Sequence, residues 1–82
     1  MIDFQTARQE ILEWLSEAIQ TPIENIDLTK PFPEIGLDSL DAVHLIATIE
    51  GAIRQDLPED IMRRVNCLND IFDLMRRKLA AA

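Results

Sequence analysis

Apolar residues along this 82-residue chain recur at helical spacing in three stretches. In the first, Phe4, Ala7, Ile11, Leu15, Ala18 and Ile19 fall on one face of a helix. Asp3 or Thr6 can cap its start, because either side chain can accept a bond from an unpaired backbone N–H. Pro22 is expected to end it, since the residue before a proline is pushed out of the α region. Trp14 lies beside the stripe and is expected to pack against the core. The second stretch, Ala42, Leu45, Ile46, Ile49 and Ile53, predicts a helix over 39–53. Asp38 is its expected N-cap, and Asp41, three residues on, completes the pattern of a capping box. The third stripe is Leu68, Ile71, Phe72, Met75 and Leu79, in a helix that starts at Asn66 or Cys67. Arg76, Arg77 and Lys78 suit the negative end of that helix. Before it, Leu57-Pro58-Glu59-Asp60 predicts a short helix with Pro58 in its first turn and its end near Val65.

Residues 20–38 form a long connection between the first two helices, with three prolines and Gly36. A loop of this length is unusual in a compact domain and is often functional. Ile23, Ile26, Leu28, Phe32, Ile35 and Leu37 recur through it, so it is expected to be pinned to the core. Thr21-Pro22 can start a short helical turn, with Thr as cap and Pro at the first position. The pattern predicts an all-α fold: a four-helix bundle of three main helices and one short helix, in a single domain over 1–82.

Composition narrows the function classes. Hydrophobic residues make up 48% and aromatics 5%, which favours packed helices over a sheet. The net charge of −7 argues against nucleic acid or an anionic membrane as partner. The acids are concentrated: residues 1–50 hold ten acids and two bases, residues 51–82 five acids and six bases. Basic protein surfaces are the expected partners, drawn by electrostatic steering; solubility is the plainer reading of the same charge. A lone Cys67 and a lone His44 offer neither a disulfide nor a metal site. Met1-Ile2-Asp3 begins no targeting segment, and no stretch is long enough to span a bilayer. The expected setting is cytoplasmic, as a monomer.

Ser39 is the one residue placed for chemistry. Its hydroxyl falls at a helix start, where free N–H groups and the positive end of the dipole favour bound negative charge. It is not a hydrolase nucleophile: the glycines of a nucleophile elbow are missing. His44 lies five residues on, rotated by about 140° around the helix. Ser39 can also be an ordinary part of a helix cap. Leu40, Val43 and Ala47 form a second apolar strip away from the core stripe, bordered by Asp41 and Glu50. An apolar strip edged by charge is what a docking surface needs, though scattered surface apolar residues give the same pattern.

The run Glu34-Ile35-Gly36-Leu37-Asp38-Ser39-Leu40-Asp41 resembles the attachment motif of acyl carrier proteins: an acid, an aliphatic residue, Gly, any residue, then Asp-Ser-Leu. The resemblance continues through Asp41–Ile46, through Leu57-Pro58-Glu59-Asp60 and through Val65–Leu74, and so covers nearly the whole chain. It implies a free-standing, non-enzymatic carrier of fatty acid, polyketide or specialised lipid synthesis. It implies that Ser39 receives 4′-phosphopantetheine from coenzyme A, by a phosphopantetheinyl transferase with Mg²⁺, and that the arm's thiol holds an acyl thioester. By the same resemblance Asp38, Leu40, Asp41, Val43, Ala47 and Glu50 would meet partner enzymes such as a ketosynthase, an acyltransferase or an acyl-activating ligase. Phe32, Ile46, Ile49 and Ile53 would line a space for the cargo, or simply pack the core. The chain departs from fatty-acid-synthesis carriers in the second helix, where His44 stands in place of a usual acid and Gly51, Ala52 and Arg54 follow Glu50. Arg63-Arg64 in the third helix adds positive charge. These departures favour a dedicated carrier of a specialised acyl pathway. Two other readings stay open: an acidic helical interaction module with no prosthetic group, and a peptidyl or aryl carrier of a non-ribosomal pathway.

Overall fold

The computed structural model describes residues 2–81. Four helices follow in order: α1 (Phe4–Ala18), α2 (Ser39–Ile53), α3 (Ile61–Arg64) and α4 (Leu68–Ala81). α1 packs on both α2 and α4, and α2 closes against α4. The stripes meet in one apolar core built on Ile11, Leu15, Leu45, Ile49, Ile53, Leu68, Ile71 and Met75, all essentially sealed from solvent. The described residues contain no buried charged or polar side chain. The expected all-α bundle of three main helices and one short one is therefore the observed fold.

α1 starts where Asp3 accepts from the Thr6 backbone N–H. It ends earlier and for a different reason than Pro22 suggests. Gln20 turns left-handed at φ 51°, Ile19 N–H bonds to Leu15 C=O and Thr21 N–H to Ser16 C=O. This is a Schellman closure with a non-glycine in the left-handed position. The Ser16 hydroxyl donates to Thr21 C=O at 2.7 Å and helps hold it. Ala18 is consequently exposed rather than in the core, and Leu12, absent from the stripe read from sequence, is buried in its stead. Pro22 opens the 3-10 turn Ile23–Asn25 from the cap position, one residue later than the Thr21-Pro22 pattern suggests.

The long connection is ordered by two kinds of tie. Ile26, Phe32 and Leu37 are buried, with Ile23, Leu28 and Ile35 packed at the margin of the core. Two backbone bonds also join it to the approach and first turn of α4: Phe32 N–H to Asn66 C=O, and Asn69 N–H to Leu28 C=O. The second satisfies a donor that the first turn of α4 would otherwise leave open. A second 3-10 turn, Phe32–Ile35, ends at Gly36, whose φ of 94° is left-handed. A Cβ there would meet only Ile19 at 3.9 Å, so backbone conformation rather than space requires glycine.

α3 is shorter than the sequence suggests. Pro58 does open a turn, with Ile61 N–H bonded to Pro58 C=O, but the helix itself starts at Ile61. α4 starts at Leu68, one or two residues after the expected position. It runs to Ala81, so Arg76 and Arg77 lie before its last turn, which holds only Lys78 as a base. Arg76 instead stacks on Phe4, and Arg8 on Phe72, each 5.1 Å from the ring centroid. These two cation–π contacts join the surfaces of α1 and α4.

Two outcomes follow from the connection. Gly36→Ala should lower stability by about 1–2 kcal/mol through left-handed strain, read as a lower urea midpoint with unchanged m-value; an unchanged midpoint would contradict this. Asp27 accepts from the Thr29 hydroxyl at 2.6 Å and the Thr29 N–H at 2.9 Å, which holds its carboxyl below the usual carboxylate range. The stabilisation is therefore present above the unfolded-state pKa and is lost as pH falls through the depressed folded value. Thr29→Val should raise the Asp27 midpoint in a ¹³C-carboxyl titration, and a midpoint that stays put would refute the assignment to the hydroxyl.

Candidate functional site

The site is set by the first turn of α2. Asp38 is its N-cap: its Oδ1 accepts from Asp41 N–H at 2.8 Å, and Asp41 Oδ2 accepts from Asp38 N–H at 3.2 Å. This reciprocal capping box fixes the direction in which the chain enters the helix. Ser39 is then the first helical residue, exposed, with helical backbone and a hydroxyl not needed for the cap. Among the described residues its Oγ has no hydrogen-bond partner, and the Ser39 and Leu40 N–H groups have no acceptor. The arrangement offers an accessible hydroxyl beside two open amide donors at a positive helix end, a setting that favours a phosphate ester.

Two clefts adjoin this hydroxyl. One, of about 560 Å³, lies between the Phe32–Gly36 turn and α2, with Leu37, Ser39, Ala42 and Met62 in its walls. The other, of about 590 Å³, lies between α2 and the α3 segment. Ser39, Ala42, Val43, Ile46, Ala47 and Glu50 supply one wall, and Leu57, Pro58, Glu59, Ile61 and Met62 the other. Ser39, Ala42 and Met62 line both. The walls are mostly apolar and open to solvent.

The residues singled out from sequence divide by position. Leu40 and Val43 are 64% exposed each, and Ala47 is exposed beside them, so the apolar strip faces solvent. Asp38 and Asp41 flank Ser39 while serving the cap. Ile46 lines the second cleft and Phe32 the first. Ile49 and Ile53 line neither; they are sealed in the core. Glu50 is half-buried, and its Oε2 accepts from Leu57 N–H at 2.7 Å. His44 is exposed and points to no partner role for Ser39. Sequence reading missed Met62 and Leu57 as cleft residues and placed Ala42 wholly in the core. The aliphatic-Pro pair was the available signal for Leu57; Met62 sits on a helix of four residues, too short for a periodic pattern to show its face. No described group of His, Cys, Asp and Glu could hold a metal ion, and no helix is long and apolar enough to cross a membrane.

Comparison with known proteins agrees with this geometry. A family model for the phosphopantetheine attachment site matches residues 9–75. An acyl carrier protein of Guillardia theta is 32% identical over 78 residues, covering 89% of this chain and 96% of its own. Acyl carrier protein 3 of Ralstonia nicotianae is 27% identical over 77 residues, covering 93% of this chain and 88% of its own. The actinorhodin polyketide synthase acyl carrier protein of Streptomyces coelicolor is 29% identical over 75 residues, covering 92% of this chain and 87% of its own. The chain belongs to the acyl carrier protein family, whose members are carriers with covalent 4′-phosphopantetheine rather than enzymes.

Proposed function

We propose that Ser39 is the residue that bears the 4′-phosphopantetheine arm, and that α2 presents the loaded arm to partner enzymes. The observation that carries this is the Ser39 hydroxyl itself: exposed, without a hydrogen-bond partner among the described residues, and on the shared rim of the two clefts. The arm, when bound, supplies the thiol on which an acyl group is held as a thioester. The chain's own part is positional. The Ser39 and Leu40 N–H groups can bond to the phosphate oxygens of the ester and orient it. Met62, Ala42 and Ile46 offer apolar walls against which a cargo chain can lie, shielded from water.

Leu40, Val43 and Ala47 form the apolar centre of the partner face, and the outward oxygens of Asp38 and Asp41 form its acidic edge. A phosphopantetheinyl transferase uses this face first. The pathway enzymes, such as a ketosynthase, an acyltransferase or an acyl-activating ligase, use it later. Tethering raises the concentration of cargo at each docked enzyme. The pathway we favour is a specialised one, polyketide-like or lipid, in a cytoplasmic setting, because α2 carries little acid beyond Asp41 and Glu50. A single carrier domain over 1–82 suffices for this role.

Incubating the apo-protein with coenzyme A, Mg²⁺ and a broad-specificity transferase should add one phosphopantetheine by intact mass. Ser39→Ala should add none; an equal gain by the variant, or no gain by the wild type, overturns the proposal. The partner face has its own test. Leu40→Asp adds an acid to the first turn of α2, which favours the helix, so its folding should be intact. Its loading rate should nevertheless fall by about tenfold, the scale of one lost apolar anchor. Asp41→Asn keeps an acceptor for the cap and should slow loading while far-ultraviolet circular dichroism stays at the wild-type level. Normal loading by both variants would remove α2 from the interface.

A further inference from the structure

The cleft between α2 and α3 has one firm wall and one weakly held wall. The firm wall is α2. The other begins after Arg54, which reverses the chain in a left-handed conformation at φ 55°, and continues through residues 55–60 without regular structure. Among the described residues, Leu57 N–H is the only backbone donor between Gln55 and Asp60 with a protein acceptor, and that acceptor is Glu50 Oε2 at 2.7 Å. Apart from local bonds to α3, the other polar tie of this segment among the described residues is Gln55 Nε2 to Lys78 C=O at 3.1 Å, which holds it to α4 rather than to α2. Leu57 is buried directly before Pro58, which has no N–H to give. α3 itself buries only Ile61. The placement of the whole Leu57–Met62 wall thus depends on few groups, and one of them is a carboxylate that also lines the cleft.

We propose that Glu50 is a positioning residue for this cleft: it latches the Leu57 wall to α2 through its acceptor oxygen, and it is not a charge contact for partner enzymes. The proposal rests on the reading that the cleft shelters cargo held from Ser39, and it assigns the width of that shelter to a single bond. Glu50 has reason to be a carboxylate. The acceptor must reach seven residues along the chain to an amide that lies half-buried, and a charged acceptor binds it more tightly than a neutral one. A Gln keeps a carbonyl oxygen at the same reach; an Ala leaves the Leu57 N–H without an acceptor. Acceptor and charge can therefore be separated by substitution.

Two readouts test this on the full chain. The first is hydrogen exchange of the Leu57 amide in the apo-protein, measured against amides of Ile11 and Leu15 as a control for global unfolding. Glu50→Ala should speed Leu57 exchange by about tenfold or more, the scale of a half-buried hydrogen bond to a charged acceptor, with the α1 amides unchanged. Glu50→Gln should stay within about threefold of wild type. The second readout is attack by hydroxylamine on the octanoyl-loaded protein. Glu50→Ala should expose the thioester and speed its cleavage several-fold, and Glu50→Gln should restore protection. If Leu57 exchange is unmoved in Glu50→Ala, or if Glu50→Gln behaves like Glu50→Ala, the latch is refuted and Glu50 reverts to a charge contact. If exchange rises but thioester cleavage does not, the latch stands and it is the sheltering role of the cleft under the proposed function that falls.

Discussion

The reciprocal bonds between Asp38 and Asp41 are the constraint on which the site depends. A helix start must satisfy its first N–H groups, and the commonest solution is an Asp, Asn, Ser or Thr side chain turned back onto the backbone. Here the two carboxylates take that duty. The residue between cap and box, Ser39, is left with a free oxygen and a fixed direction. The Asp38–Asp41 pair thus does two things at once. It sets the angle at which the connection enters α2, and it keeps the hydroxyl out of the cap. The outward oxygens remain as acidic edges on either side of it.

The connection that leads into this turn is tied down by buried side chains and by backbone bonds. Phe32 and Leu37 are anchored in the core, Phe32 N–H bonds to Asn66 C=O just before α4, and Leu28 C=O accepts from Asn69 N–H in its first turn. Gly36 supplies the left-handed step between the second 3-10 turn and Asp38. The opposite side of the cleft is built lightly, from a helix of four residues that buries one side chain. Many ties on one side and few on the other are compatible with the proposed role, in which Ser39 holds an arm and the cleft receives its cargo. The two cation–π contacts lie on the α1–α4 surface, in elements that line neither of the clefts beside Ser39.

Much of this is legible in the chain itself, and the misses have physical causes. The stripes of α2 and α4 and the Asp38 cap read directly from spacing, because long amphipathic helices repeat their signal. Ser39 is legible as the candidate position for chemistry because no other residue offers a hydroxyl in so distinctive a run. The end of α1 is not legible from Pro22, since Gln20 adopts a left-handed conformation for which glycine is the usual marker. The exposure of Ala18 follows from that early end. Ile49 and Ile53 share a stripe with Ile46, yet only Ile46 reaches the cleft, because the cleft follows α3 and α3 covers only part of the face. Glu50 reads as a surface acid on a helical wheel; its bond to Leu57 depends on the path of the chain after Arg54, which no local pattern encodes.

In the proposed function a side-chain oxygen at the head of α2 anchors the prosthetic arm. Peptide mapping by tandem mass spectrometry, on protein recovered from the cells that make it, tests this most directly. A phosphopantetheine-derived fragment is expected from the peptide that contains Leu37-Asp38-Ser39-Leu40, with the site localised to Ser39. Protein that is invariably unmodified there while its attaching enzyme is active, or an arm carried on any other residue, would contradict it.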